Sequence, residues 1–368
     1  MPESGTGRLP GSLVIAFEVF KVLFFVYCFL LSIDLMGISF KASRDTLKPL
    51  LEHATSNPFI GLVIGIVITS IIQSSSTTTS IVVAMVAGGT LLLQNAIPIV
   101  MGANIGTTVT NTIVSFGYVG RKTEFERAFG GAIIHDIFNI SATLFLFPIE
   151  LYTGILFRSS QLLTKVFEGA GGFKFVSPLK IVLEPVALPI AGFIGNHYVL
   201  LIIALIFLFF SMKKIIENMR GIAMEKIEVV LNRYFFRNAF ISLSLGMIFT
   251  ALVQSSSITT SIIVPLVGAG MLSIEQVFPY TLGANIGTTI TAILAALTFG
   301  IEASMAVAFS HLLFNVFGII IIYPIRVIPI SIAKTIARFV SKSKKHFLIF
   351  LVIYILLHVL PIVFALFE

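Results

Sequence analysis

The sequence predicts an all-α polytopic membrane protein with two inverted-topology repeats, each containing a broken, re-entrant hairpin with a Gln-Ser-Ser-Ser (QSSS) motif. The prediction depends on extreme hydrophobicity, on an internal duplication, and on hydrophobic runs that are interrupted at matching places in both copies. Of the 368 residues, 57% are hydrophobic and only 11% are charged. Because a soluble domain cannot bury that much apolar surface, the composition requires a lipid bilayer.

The internal duplication relates two halves of the chain. Residues 57–115 align with residues 238–296 without a gap, and the most similar parts are two polar stretches in apolar surroundings. They are QSSSTTTS at 73–80 and QSSSITTS at 254–261, which we name the first and second hydroxyl segments. GANIGTT at 102–108 recurs at 283–289, and HDIFN at 135–139 has a counterpart in HLLFN at 311–315. Such self-similarity indicates a duplicated structural unit.

Hydropathy and the duplication together predict the domain organisation. It comprises a polar leader (1–11), a first repeat unit (12–148), an interfacial linker (149–185), a second repeat unit (186–325), and a basic interfacial segment with a C-terminal transmembrane helix (326–368). Membrane spans are predicted at 12–40, 97–115, 128–148, 186–212, 277–299, 303–325 and 346–366. Basic amphipathic stretches at 213–237 and 326–345 are expected to lie along the membrane interface.

The hydrophobic run before each hydroxyl segment is too short to cross a bilayer. Residues 58–72 would reach about 22 Å as a helix, whereas the hydrocarbon core is about 30 Å thick. Short, interrupted hydrophobic segments at corresponding positions of two halves indicate a transporter's binding site. The Lys and Arg distribution places 116–127, 213–237 and 326–345 in the cytoplasm and 41–57, 149–180 and 297–303 outside, which gives the two units opposite orientations.

The hydroxyl segments suggest a site for an oxyanion and its accompanying cations. A Ser/Thr-rich break that begins a new half-helix offers free backbone N–H groups and the positive end of a helix dipole, both of which favour an anion. Hydroxyl, carbonyl and Gln amide oxygens are hard ligands suited to Na⁺. No Lys or Arg lies in these hairpins, so a buried dianion would need cations to enter with it.

Other polar residues extend the candidate site. Asp136 is an acidic residue within the span at 128–148, and Asn139 shares its helix face three residues later. The glycines of the two GANIGTT stretches are expected to permit close helix packing. His135 and His311 are expected to pack or hydrogen-bond rather than bind metal. The candidate polar residues beyond the serines are Gln73, Thr77, Asn104, Thr107, Thr110 and Asn285.

The paired QSSS motifs, the paired GANIGTT stretches and RKTEFERAFGGAIIHDIFN at 121–139 resemble the type II sodium–phosphate cotransporter family. The resemblance implies a multi-pass protein of the cell membrane that has two inverted repeats and carries out Na⁺-driven uptake of inorganic phosphate. Applied residue by residue, it implies a phosphate site at Ser74, Ser75, Ser76, Ser255, Ser256 and Ser257. It also implies one sodium site at Gln254, Ser255, Thr288 and Thr291 and another at Asp136 and Asn139.

The resemblance further implies electrogenic transport. About three Na⁺ with HPO₄²⁻ would move one net positive charge inward, which is worth about 2.3 kcal/mol per 100 mV. We assign Gln73, Thr77, Asn104 and Asn285 to the phosphate site, and Gln73, Thr107 and Thr110 to a sodium site in the first unit. The expected partners are phosphate, sodium ions and lipid, without nucleic acid or a cofactor. The sequence leaves the oligomeric state open, a dimer included.

Three alternatives remain open at the level of sequence. Sulfate or arsenate would fit a hydroxyl-lined site nearly as well, because Ser and Thr hydroxyls can both donate and accept hydrogen bonds. An ion channel could use the same hydroxyl-lined hairpins as a filter. A membrane-embedded enzyme is the weakest alternative, because no nucleophile–base pair and no ATP-binding loop is visible in the sequence.

Overall fold

The computed structural model describes residues 11–171, 178–234 and 238–367, and the regular structure within those ranges is entirely helical. The predicted all-α class is confirmed. The helices are α1 (Gly11–Ala42), α2 (Arg44–Ala54), α3 (Pro58–Ile72), α4 (Ser75–Ala87), α5 (Leu93–Gly106), α6 (Val109–Ser115), α7 (Lys122–Thr153), α8 (Ile155–Gly171), α9 (Pro178–Ile194), α10 (His197–Tyr234), α11 (Ala239–Val253), α12 (Ser256–Ser261), α13 (Ile263–Gly268), α14 (Ile274–Phe299), α15 (Glu302–Ile322), α16 (Val327–Val340) and α17 (Lys344–Phe367).

Six of the described helical stretches are long and apolar enough to cross a membrane, and a seventh candidate is bent by 105° between α2 and α3. The six are Phe17–Ala42, Leu93–Tyr118, Lys122–Thr153, His197–Met219, Ile274–Phe299 and Glu302–Ile322. Five of them overlap the predicted spans at 12–40, 97–115, 128–148, 277–299 and 303–325, and His197–Met219 overlaps the later part of the span at 186–212. The predicted span at 346–366 falls within helix α17 but is not among the six. The protein is therefore a polytopic helical membrane protein, as its composition requires.

The predicted span at 186–212 begins too early, because the chain breaks between α9 and α10 and the candidate span there is His197–Met219. Gly195 adopts a positive φ of 67° there, and the Asn196 side chain accepts hydrogen bonds from the first N–H groups of α10. The predicted interfacial stretch at 213–237 is likewise not a separate element. Its residues through Tyr234 continue α10, and residues 235–237 lie outside the described ranges.

The two hydroxyl segments break their helices in the same way. Gln73 ends α3 and Gln254 ends α11, each in the left-handed region with φ of 58° and 60°. The next residue is extended, and its side-chain oxygen caps the following helix: Ser74 for α4 and Ser255 for α12. A serine N-cap satisfies one of the N–H groups that a helix start leaves open. The sequence thus produces paired half-helices that meet within the protein.

Glycines bring each broken hairpin into backbone contact with the following helix. A Cβ atom at Gly102 of α5 would lie 2.0 Å from the carbonyl oxygen of Leu62 in α3. The equivalent Cβ atom at Gly283 of α14 would lie 1.9 Å from the carbonyl oxygen of Leu243 in α11. The close packing that the GANIGTT stretches predict is therefore confirmed, since no larger side chain fits without moving the backbone.

The halves also interlock. Helix α4 of the first half packs on α14 and α15 of the second, while α13 of the second half packs on α7 of the first. A large apolar cluster around α7 includes Phe129, Phe138 and Phe278, and another around α1 and α10 includes Ile33 and Leu208. This exchange of contacts holds both hydroxyl segments in the interior.

Candidate functional site

Each hydroxyl segment is fastened to its own hairpin by a threonine pair. The Oγ1 atoms of Thr69 and Thr78 are 2.9 Å apart, and those of Thr250 and Thr259, the equivalent residues of the second half, are 2.6 Å apart. All four threonines are buried. These hydroxyl pairs join the end of one half-helix to the start of the next, so the break has a fixed shape in both halves.

The two hydroxyl segments meet each other. The Ser76 hydroxyl donates to the carbonyl oxygen of Gln254 at 3.4 Å. Thr107 lies between the segments: its hydroxyl accepts from the backbone N–H of Ser75 at 3.0 Å, and its carbonyl oxygen accepts from the Ser257 hydroxyl at 3.2 Å. Four residues that the sequence predicts for the site are thereby brought together with Thr107.

The two glutamines at the breaks have different surroundings. Thr291 donates to Gln254 Oε1 at 2.6 Å, as expected for neighbours in one site. The equivalent pair of the first half is apart: the Gln73 side chain is exposed, and Thr110 Oγ1 is buried without a hydrogen-bond partner among the described residues. The Thr288 hydroxyl donates to the carbonyl oxygen of Ala284 at 3.0 Å. The second half therefore holds the more complete oxygen cluster.

Asparagine and histidine side chains connect the halves beside the hydroxyl segments. His135 Nε2 lies 2.6 Å from Asn285 Oδ1, and the equivalent pair has His311 Nε2 3.2 Å from Asn104 Oδ1. Asn285 also donates to Asn139 Oδ1 at 2.7 Å. The expected hydrogen-bonding role of both histidines is confirmed. Because unsatisfied amides in a membrane interior are costly, these bonds fix how the halves meet.

Asn111 links the second hydroxyl segment to the same network. Its Nδ2 atom donates to Thr260 Oγ1 at 2.8 Å and lies 3.2 Å from His135 Nδ1, while its Oδ1 atom accepts from Ser261 Oγ at 3.1 Å. The sequence reasoning missed this residue. A signal was available, because Asn111 is an amide within the predicted span at 97–115, but the second half has Ala292 at the equivalent position and so the duplication does not mark it.

Asp136 is buried and surrounded by hydroxyl donors. Thr108 donates to its Oδ1 atom, Thr112 donates to Oδ2 at 3.1 Å, and Tyr354 donates to Oδ1 at 2.9 Å. Asn139 bonds instead to Asn285 and to the carbonyl oxygen of Asn104 at 2.7 Å. The carboxylate and three hydroxyls form an oxygen cluster that the sequence reasoning did not identify beyond Asp136 itself.

The charge distribution of the interior limits what the site can bind. Among the residues whose burial is described, the buried acidic residues are Asp34 and Asp136, and no Lys or Arg is buried. An anion at the hydroxyl segments would therefore meet hydroxyl and backbone N–H donors without a cationic side chain. Cations would meet hydroxyl, amide and carboxylate oxygens in the same region. The arrangement favours joint binding of an anion and alkali cations.

Comparison with known proteins agrees with this chemistry. The family model described as Na⁺/Pi-cotransporter matches residues 28–176 and 206–352. The sheep protein named sodium-dependent phosphate transport protein 2A is 34% identical, over 97% of this chain and 69% of its own length. The rat 2A protein is 33% identical over 90% and 65%, and the human 2B protein 30% over 90% and 63%.

The chain thus spans about two thirds of the length of these relatives, with 69% for the sheep protein and 65% for the rat protein. No solved structure matches it. The family model covers both halves, including both hydroxyl segments and Asp136. The chain belongs to the Na⁺/Pi-cotransporter family.

Proposed function

We propose that the protein is a secondary active symporter that uses an inward Na⁺ gradient to take up inorganic phosphate across the cell membrane. Family membership and the names of the relatives support phosphate as the substrate and Na⁺ as the coupling ion. The observation that carries the proposal is the contact between Ser76 and Gln254, which joins the two hydroxyl segments in an interior where no Lys or Arg of known burial is buried.

Phosphate binds where the two hydroxyl segments meet. The serines at 74–76 and 255–257 surround the anion, with Gln73, Thr77, Asn104 and Asn285 completing the donor set. Helix α4 begins at Ser75, so the positive end of its dipole serves the anion. Phosphate oxygens accept from hydroxyl and N–H donors, and the remaining proton of HPO₄²⁻ can bond to a hydroxyl oxygen.

Sodium ions occupy oxygen clusters beside the phosphate. Gln254, Ser255, Thr288 and Thr291 hold one ion, and the bond between Thr291 and Gln254 supports this grouping. Gln73, Thr107 and Thr110 are the corresponding residues of the first half and would come together around a second ion, and the Thr110 hydroxyl, which has no hydrogen-bond partner among the described residues, supports a ligand role. Asp136 holds a further ion, with Asn139 on the same helix face.

The charge of Asp136 makes transport electrogenic. A neutral hydroxyl cage that takes HPO₄²⁻ needs about two cations for charge balance, and the carboxylate adds one more. About three Na⁺ per HPO₄²⁻ carry one positive charge inward, so the membrane potential contributes about 2.3 kcal/mol per 100 mV. Each Na⁺ also contributes about 1.4 kcal/mol per tenfold concentration gradient.

Alternating access arises from the two repeats, which we propose are inverted relative to one another. Broken helices at equivalent positions of two halves support such a mechanism, because the binding residues then lie where one half can move against the other. Gln73 is exposed, whereas Gln254 accepts a hydrogen bond from Thr291. This difference supports alternating access as well, since equivalent residues of two inverted repeats are expected to differ in any one conformation.

The test is uptake of ³²P-phosphate into proteoliposomes with an inward Na⁺ gradient, with an equal K⁺ gradient as the control. We expect saturable uptake that requires Na⁺ and is inhibited by arsenate. Equal uptake with K⁺ would contradict coupling to sodium. Strong inhibition by sulfate would favour a different oxyanion substrate, and single-channel conductance in planar bilayers would favour a channel.

A further inference from the structure

The C-terminal helix α17 packs against α7 through a stripe of aromatic side chains. The Phe347 ring centroid is 5.1 Å from that of Phe116 and 5.9 Å from that of Phe125. One turn later, Phe350 packs edge-on to Phe129 at 5.0 Å. The spacing places Phe347, Phe350 and Tyr354 on one face of the helix, so Tyr354 continues the stripe towards Asp136.

Tyr354 ends this stripe with a polar contact to α7. Its ring lies 5.2 Å from that of Phe350, and its hydroxyl donates to Asp136 Oδ1 at 2.9 Å. The side chain is 9% exposed. Tyr354 and Asp136 are separated by 218 positions in the chain, and Tyr354 lies outside both predicted repeat units. The carboxylate cluster is therefore completed by a residue that has no counterpart in the duplication.

The phenol hydroxyl suits a cation site at Asp136. The Tyr354 oxygen keeps its lone pairs while its O–H donates a hydrogen bond to the carboxylate. A cation bound to Oδ1 therefore has a further hard oxygen beside it. The Thr108 and Thr112 hydroxyls supply similar oxygens, Thr108 at the same Oδ1 atom as Tyr354 and Thr112 at Oδ2. The Phe350 ring packs beside Tyr354 on the α17 side of the cluster.

We propose that Tyr354 belongs to the cation site at Asp136, where its hydroxyl sets the affinity for sodium, so that the C-terminal helix forms one wall of the site. The inference rests on the proposed function of the protein, because it names a further residue of one of its sodium sites. It adds to the site a part of the chain beyond the two repeats.

The first test is Tyr354→Phe, which removes one oxygen and keeps the ring in the aromatic stripe. We expect the Na⁺ concentration for half-maximal phosphate uptake to rise about tenfold, since a hydrogen bond to a charged group is lost. The phosphate KM at saturating Na⁺ should stay within about twofold of wild type, because the phosphate groups are untouched. Tyr323→Phe is the matched control, since that ring stacks on Phe278 whereas the described hydroxyl donors to Asp136 are Thr108, Thr112 and Tyr354, and it should leave both values unchanged.

The second test is a double-mutant cycle with Asp136→Asn. If Tyr354 acts through the carboxylate, Tyr354→Phe should not shift the Na⁺ dependence any further in the Asp136→Asn background. Sodium-dependent thermal stabilisation of each purified variant gives the same comparison without requiring transport. An unshifted Na⁺ dependence in Tyr354→Phe, a lowered maximal rate alone, or an equal shift in both backgrounds would overturn the inference. Absence of Na⁺-driven uptake by the wild-type protein would instead overturn the proposed function.

Discussion

Ser76 and Gln254 are 178 positions apart in the chain, and the hydroxyl of the first lies 3.4 Å from the backbone carbonyl oxygen of the second. This contact joins corresponding breaks from the two halves of a duplicated sequence. Its neighbour Thr107 bonds to both hydroxyl segments, through its hydroxyl to Ser75 and through its carbonyl oxygen to Ser257. A single group bound at this junction would touch both halves at once, as coupling between them requires.

The hydroxyls at the junction should be needed for phosphate binding. We expect Ser76→Ala and Ser257→Ala each to raise the phosphate KM by about tenfold or more, because each loses a donor of the proposed anion site. The measurement is initial-rate uptake of ³²P-phosphate at saturating Na⁺. Ser310→Ala is the matched control, since the Ser310 hydroxyl bonds back to the Val307 carbonyl oxygen of its own helix at 2.7 Å. A KM that is unchanged in both junction variants would contradict the proposed phosphate site.

Removing the charge of Asp136 should make transport electroneutral. We expect Asp136→Asn to retain Na⁺-dependent phosphate uptake while losing about one Na⁺ per cycle, because the carboxylate that balances the extra cation is gone. Uptake should then stop responding to an imposed potential, set with K⁺ and valinomycin. Glu18→Gln is the control, since Glu18 pairs with Lys21 at 2.7 Å in α1. Undiminished voltage dependence in Asp136→Asn would refute this role.

The glycine contacts should be needed for folding rather than for ion selectivity. A methyl group at Gly102 would approach the Leu62 carbonyl oxygen to 2.0 Å, whereas one at Gly120 meets no atom within 4 Å. We expect Gly102→Ala to destabilise the protein by about 1–3 kcal/mol, and Gly120→Ala to have little effect. Thermal unfolding in detergent measures the difference. Equal unfolding temperatures for the two variants would show that α3 and α5 are not in backbone contact.

The inverted arrangement of the repeats can be tested by labelling. Gly120 and Ile301 follow corresponding helices of the two halves, and the Lys and Arg distribution predicts that they face opposite sides of the membrane. We expect Gly120→Cys to react with a membrane-impermeant maleimide only from the cytoplasmic side, and Ile301→Cys only from outside, both in a Cys28→Ala background. Reaction of both from one side would show that the repeats are parallel.

Much of the fold could be predicted because it depends on local chemistry. The short run at 58–72, the serine N-caps and the close-packing glycines are properties of neighbouring residues, and the structure reproduces them. The start of the span at 186–212 was misplaced, because apolar residues on both sides of the break keep the average hydrophobicity high. Gly195 and Asn196 are typical of a turn and a helix cap, and they interrupt the helix at that point.

The site was only partly predictable because duplication reveals residues that occur twice. The hydroxyl segments, Asn104 and Asn285 all have counterparts, and repetition distinguishes them from ordinary membrane Ser, Thr and Asn residues. Thr112 and Tyr354 have no such signal: one lies in a polar stretch of α6 and the other in an apolar C-terminal helix. Only the tertiary structure brings them to Asp136.

The backbone contacts at Gly65 and Gly102, repeated at Gly246 and Gly283, have a consequence for anyone who wishes to re-engineer the protein. Each half-helix packs so closely against its neighbour that the two are expected to move as one rigid body. Widening the cage for a bulkier anion, such as an organophosphate, therefore cannot be achieved by spreading these helices apart. Room has to come from trimming hydroxyl side chains, which simultaneously removes the ligands that make the cage selective.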